Sequence, residues 1–272
     1  MSGVLDEDEA LRLLGDGELS VQGRLVDASN ATLYCTVELD GVSAACVHKP
    51  IAGERPLWDF PDGTLANREV AAYLVSAATG WDVVPPTVLR EGPFGPGMCQ
   101  LWIETEPAAA AELVDLRPPG PASEGWLPIV EAVVGDGERV ILAHRDDERL
   151  RRIAVLDAVV NNADRKGGHL LPDARGHVYG VDHGVCFATE DKLRTLLWGW
   201  AGAAIPAELA EVLARLAADL DSGRESSLAA RLGALLTAGE LAVTRERVRL
   251  LLRSGRHPAP NGSWPAVPWP PF

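Results

Sequence analysis

Apolar and polar positions fall into strand-like runs in the first third of the chain and helix-like stripes in the last third. Residues 6–15 are an exception at the start. Leu11, Leu13 and Leu14 stand between acids there, which predicts a short amphipathic helix. Runs at 23–26 and 33–39 read as strands separated by a polar gap. Asp40-Gly41 is a hairpin turn signal, and 44–50 is a third strand that Pro50 ends. A polar loop at 53–63 precedes a helix over 64–79, with Asp62 or Thr64 as cap and Gly80 as stop. Glu69 lies close to its apolar stripe. Val83-Val84 with 87–89, interrupted by Pro85-Pro86, and then 98–103 give two more strands.

Residues 105–125, rich in Ala, Pro and Gly, read as a connector. Helices are expected around 127–134 and over 146–160, the second opened by Asp146 and Asp147. Two short strands, 170–171 and 177–181, follow. Helices at 206–221, 224–238 and 240–254 come next, with Gly239 between the last two. The Pro/Trp-rich tail from His257 to Phe272 cannot be helix. The expected class is α+β: a β-rich N-terminal lobe over 1–104, a connector, a mostly helical lobe over 126–256, and a tail over 257–272.

Composition narrows the function classes. A chain of 272 residues buries roughly 75 % of its unfolded surface, so it needs no disulfide or structural metal to fold. The formal charge of −14 argues against nucleic acid and anionic membranes, which require clustered Lys and Arg. Cys35, Cys46, Cys99 and Cys186 form no Cys-x-x-Cys pair and no zinc spacing, so they are expected as buried thiols in a reducing cytoplasm. The acidic N-terminus has no signal-peptide core, and no apolar run reaches the roughly 18 residues of a membrane span. Only Lys49, Lys166 and Lys192 stand against 22 arginines. A lysine kept in such a chain points to a position that wants an ammonium group.

The segment carrying most chemistry is Asn161-Asn162-Ala163-Asp164-Arg165-Lys166-Gly167-Gly168-His169. Val181-Asp182-His183-Gly184 begins 17 residues after Asp164, on the far side of a short hairpin. Phosphoryl transfer uses such a carboxylate pair, one to take the acceptor's proton and one to hold the metal on the phosphates. Lys49 at a strand end and Glu69 on the next helix supply the cation and its partner.

The set Lys49, Glu69, Asp164-Arg165 and Asp182-His183-Gly184 resembles the protein-kinase-like superfamily. It looks closest to the atypical phosphatidylinositol 3-/4-kinase-like branch, with Asp-Arg-x-x-x-Asn and Asp-x-Gly motifs. It is also similar to an actinobacterial family described as distantly like those kinases, which suits the Arg-rich composition. The resemblance spans roughly residues 20–200 and implies a bilobal kinase-like fold that uses ATP and Mg, or Mn.

It further implies that Lys49 contacts the phosphates, Glu69 fixes Lys49, Asp164 with Arg165 is catalytic, and Asp182 binds metal. Gln100, Leu101 and Trp102 fall at the adenine-binding hinge, and Ser29, Asn30 and Thr32 in the phosphate-covering loop. His169 stands where the family has its metal-binding Asn. No Gly-x-Gly-x-x-Gly is present. Three functions follow: a phosphotransferase acting on a hydroxyl of a protein or polar metabolite, a nucleotide-binding pseudokinase, or an AMP transferase.

Overall fold

The structure is a computed structural model that describes residues 5–25, 30–120, 124–135 and 137–272. It is a mixed α+β fold with a sheet-rich N-terminal part and a helical C-terminal part. Helix α1 (Glu7–Asp16) is closed by a capping box between Asp6 and Glu9. Strands β1 (Glu18–Arg24), β2 (Leu33–Leu39) and β3 (Val42–Pro50) form the expected meander. Asp40 and Gly41 both take positive φ at its hairpin turn, as a two-residue turn requires. β1 begins five residues earlier than its pattern suggested, because most of its side chains are exposed and carry no apolar alternation.

β3 then pairs with β5 (Gly95–Leu101), and β5 with β4 (Thr87–Gly92), giving the order β1-β2-β3-β5-β4. Across this sheet lies α2 (Leu65–Thr79). Its first amides are met by the Thr64 hydroxyl, which accepts from Asn67 N, and by the Glu54 carboxylate, which accepts from Leu65 N and Ala66 N. Gly80 ends α2 in the left-handed conformation, at φ 67°.

Residues 105–125 hold a short helix α3 (Pro107–Ala111) and strand β6 (Val114–Arg117). The helix expected around 127–134 is instead β7 (Trp126–Val134). It pairs with β8 (Glu138–Arg145) in a three-stranded sheet of order β6-β8-β7. β-Branched Ile129, Val130, Val133 and Val134 next to Gly135 and Gly137 favour a strand and turn over a helix. Pro128 is tolerated because the register shifts between Pro128 and Val130, on an edge strand.

Helix α4 (Glu148–Val160), capped by Asp147, threads the main core; Leu150, Ile153 and Leu156 are fully buried. Each such side chain contributes about 1.5–3 kcal/mol relative to exposure. The hairpin β9 (Leu170–Pro172) and β10 (Val178–Gly180) follows, then α5 (Ala207–Leu220), α6 (Leu228–Gly233) and α7 (Ala238–Ser254). Gly239 does not separate the last two helices. It lies in the first turn of α7, whose start is fixed by a capping box between Thr237 and Glu240. The tail is non-helical and docks on the C-terminal part through Ala266, Val267 and Pro271.

Candidate active site

One cleft of about 890 Å³ lies between the N-terminal sheet and the 164–185 loops. β3 delivers Lys49 into it through the register that sets Lys49 opposite Met98. α2 delivers Glu69, whose side chain is only 2 % exposed. The Lys49 ammonium donates to Glu69 Oε1 at 2.6 Å and to Asp182 Oδ1 at 2.8 Å. Burial works to lower the Lys49 pKa, but the charges of Asp182 and Glu69 outweigh it and hold the ammonium above its usual value. The same Lys49 charge holds Asp182 far below the usual carboxylate range. Half of the Asp182 side chain still faces the cleft.

Asp182 is aimed by its backbone. It takes φ 61°, strained for a non-glycine residue, and the next amide, His183 N, donates to Glu69 Oε2 at 2.8 Å. Glu69 therefore ties the lysine strand and the Asp182 loop together. His169 Nε2 lies 3.4 Å from Asp182 Oδ2, and burial lowers the imidazole's pKa, leaving it neutral at neutral pH. Asp164 Oδ2 is 3.1 Å from the Lys166 ammonium, and both line the cleft. The Asp164 amide donates to Asn162 Oδ1, which turns the loop.

Arg165 does not face the cleft. It is fully buried behind both loops, bonded to Asp157 through Nε and Nη2 at 3.0 and 2.9 Å. It also donates to Val181 O at 2.9 Å and meets His183 Nε2 at 2.7 Å. It holds the Asp164 loop to the Asp182 loop and has no route to a substrate. Asp157 likewise bonds the loop's side chains, Arg165 and Asn162. His183 is a buried node of this network.

Gln100, Leu101 and Trp102 line the cleft at the end of β5. The Gln100 amide is committed to Thr87 Oγ1 at 2.8 Å, and the Leu101 and Trp102 amides to Pro86 O and Ala45 O. Asn30 and Thr32 line it from the first hairpin, and Asn30 Oδ1 accepts from Arg55 N. Ser29 lies outside the described residues.

Sequence reasoning gave no role to Lys166 or Glu54. The signal for Lys166 was there, since it is one of only three lysines. The third, Lys192, is 3 % exposed. It is enclosed by Asp59 and the rings of Trp58, Phe60 and Trp264, so it does not reach the cleft.

No family model matches the chain. It is 48 % identical over 272 residues to Protein Rv2133c of Mycobacterium tuberculosis, covering 97 % of this chain and 96 % of that protein. The chain belongs to the Rv2133c family. Solved structures share its fold at low identity. The golgi casein kinase matches with TM-score 0.54 at 13 % identity, covering 92 % of this chain and 75 % of that one. Hydra Fam20 with sugar matches with TM-score 0.54 at 13 % identity, over 94 % and 89 %. The golgi casein kinase with Mn/ADP bound matches with TM-score 0.53 at 13 % identity, over 91 % and 75 %. The chain thus has a kinase-like fold.

In this Rv2133c-family chain the donors available to a divalent ion are Asp182 and His169. Among the described residues no group of three or more His, Cys, Asp and Glu could hold a metal alone. That set fits an ion that draws its other ligands from phosphate oxygens and water, as Mg²⁺ usually does. The imidazole beside the carboxylate is a softer donor than Mg²⁺ prefers. No helix in the described residues is long and apolar enough to cross a membrane.

Proposed function

We propose that this chain is an ATP-dependent phosphotransferase that moves the γ-phosphoryl group to a hydroxyl. The observation that carries the reading is the Lys49 ammonium shared between Glu69 and Asp182, inside the cleft that Asp164 and Lys166 also line. A kinase-like fold shared with a Mn/ADP-bound protein supports it. The lobes read as 1–104 and 126–256, joined by 105–125, with the nucleotide between them and its base at Gln100, Leu101 and Trp102. The phosphatidylinositol 3-/4-kinase-like branch remains a proposal resting on the Asp-Arg and Asp-x-Gly motifs.

Lys49 neutralises phosphate charge, and Glu69 keeps its ammonium in place. Asp182 with His169 would hold a divalent ion, Mg²⁺ or Mn²⁺. When bound, that ion supplies further charge neutralisation on the phosphates. Lys166 adds a cation beside Asp164. Asp164 orients the acceptor hydroxyl and takes its proton as the oxygen bonds to Pγ. The bond from Pγ to the bridging oxygen breaks, and ADP leaves with the electron pair. The products are ADP and a phosphate monoester.

His169 in place of an amide ligand favours a second reading, a nucleotide-binding pseudokinase. One variant separates the two. Asp164→Asn keeps size and hydrogen bonding but loses the base, so ATP turnover should fall roughly 10²–10⁴-fold. ATP affinity should stay unchanged by titration. Equal turnover in both proteins would remove Asp164 as the base, and tight binding with no turnover in either would leave the pseudokinase.

A further inference from the structure

We propose that the acceptor is a small hydroxyl compound that enters the cleft beside the nucleotide, and not a segment of another protein. This rests on the phosphotransferase reading and narrows its substrate class. The tail of the chain is docked on the loops next to Asp164 and already pairs main-chain amides there that an extended peptide could otherwise use.

Within the tail, the Asn261 amide donates to Asp191 Oδ2 at 2.8 Å. Trp264 follows, its ring 4.5 Å from the Lys192 ammonium. Ala266 O then accepts from Thr195 N at 3.1 Å and from Trp198 Nε1 at 2.8 Å, while Pro265 O accepts from Arg194 Nε at 3.1 Å. Val267 packs against the main core, and Pro268 is buried. Pro271 O accepts from Gly167 N at 2.9 Å, three residues from Asp164. The Phe272 ring fills the space a side chain at residue 167 would need: a Cβ there would sit 2.6 Å from it.

An acceptor peptide gains affinity by pairing its backbone with free main-chain groups beside the reacting centre. Here the amides of Thr195 and Gly167 are already paired with the tail. Lifting the tail would strip both of partners and expose Val267, Pro268 and Trp198. Yet the tail does not plug the cleft. No tail residue lines it, while Asp164, Lys166, Gly168 and His169 do, with Arg55 and Leu57 on the opposite wall. Its volume of about 890 Å³ lies near the top of the range of roughly 300–1,000 Å³ for ligand sites, leaving room for a nucleotide and a small second substrate. The transfer balances as ATP plus alcohol giving ADP, phosphate monoester and the proton that Asp164 accepts.

The test uses the full chain and two shortened forms, one ending at Ser263 and one at Pro270. The second loses only Pro271 and Phe272, which keeps the test usable if the first does not fold. Each is given γ-labelled ATP with divalent metal, and either a degenerate mixture of Ser-, Thr- and Tyr-containing peptides or the protein-free fraction of an extract of the source organism. The expected result is label in a small compound from the extract and none in peptides, for the full chain and every folded shortened form. By hydrogen exchange, the Gly167 and Thr195 amides of the full chain should stay equally protected when nucleotide and peptides are added.

Labelled peptides from the full chain would overturn the inference. So would labelled peptides from a shortened form, which would make the tail an inhibitor of a protein kinase. Loss of the amide protection on adding peptides would overturn it as well. Failure of the phosphotransferase reading itself looks different: the full chain would not bind Mg·ATP or Mn·ATP at all.

Discussion

Removing Asp157 tests whether the buried network behind the cleft holds the two loops. Asp157 and Arg165 are both fully buried, joined by bonds of 2.9 and 3.0 Å, and Asn162 Nδ2 donates to the same carboxylate at 2.9 Å. Asp157→Ala leaves a guanidinium buried without its counter-charge, which costs about 3–5 kcal/mol. Orphaning the Asn162 amide adds about 1 kcal/mol. At about 2–4 °C per kcal/mol for chains of this size, the melting temperature should fall by on the order of 10–20 °C. In the double variant Asp157→Leu with Arg165→Met the Asn162 amide is orphaned as in the single one, and Val181 O and His183 Nε2 lose their donor at about 1 kcal/mol each. The stranded charge worth about 3–5 kcal/mol is gone, however.

The double variant should therefore be more stable than the single one. It should still bind Mg·ATP less well, because the side-chain tie between the two loops is gone and only backbone bonds such as Ala163 N to Val185 O and Val181 N to His169 O still join them. Urea unfolding and ATP titration on the three proteins measure both effects. A loss below about 1 kcal/mol in Asp157→Ala, or a double variant less stable than the single one, would refute the reasoning.

Two further perturbations act away from the cleft. Burial lowers His144 and His257 to about 4, from an ordinary value of 6.5. The unfolded chain therefore takes up these protons first as pH falls, and each residue removes about 1.4 kcal/mol of stability per pH unit from 6.5 down to about 4. A urea midpoint flat over that window would contradict this. Arg68, one residue before Glu69, is buried against Glu240 of α7 and also donates to Asp62 O and Cys186 O. Glu240→Gln should cost about 3–5 kcal/mol and weaken Mg·ATP binding by shifting α2. Unchanged nucleotide affinity would separate α2 from the cleft.

Much of this site was legible because its parts are local. A strand ended by Pro50, a helix opened at Thr64 and closed at Gly80, and loops after α4 and β10 each carry their own punctuation, and the candidate residues sit beside it. What escaped depended on pairing across the chain. The strands over 126–145 form only because β6, β7 and β8 find one another, and apolar spacing over eight residues does not separate strand from helix. Gly239 looked like a breaker, but the Thr237–Glu240 capping box outweighs it. Arg165 looked catalytic from its neighbour Asp164. Its direction is set by Asp157, which lies one helical turn and a loop away. Lys166 carried the same compositional signal as Lys49 but stood in a glycine-rich loop that hid its contact with Asp164.

The central claim is that this cleft binds ATP through Lys49 and a divalent ion on Asp182. Isothermal titration of the chain with ATP, with and without Mg²⁺ or Mn²⁺, tests it most directly, with Lys49→Ala and Asp182→Ala beside the wild type. The account predicts metal-dependent ATP binding by the wild type, strong weakening in Lys49→Ala, and loss of the metal dependence in Asp182→Ala. No ATP binding by the wild type, or equal metal-dependent binding by all three proteins, would contradict it.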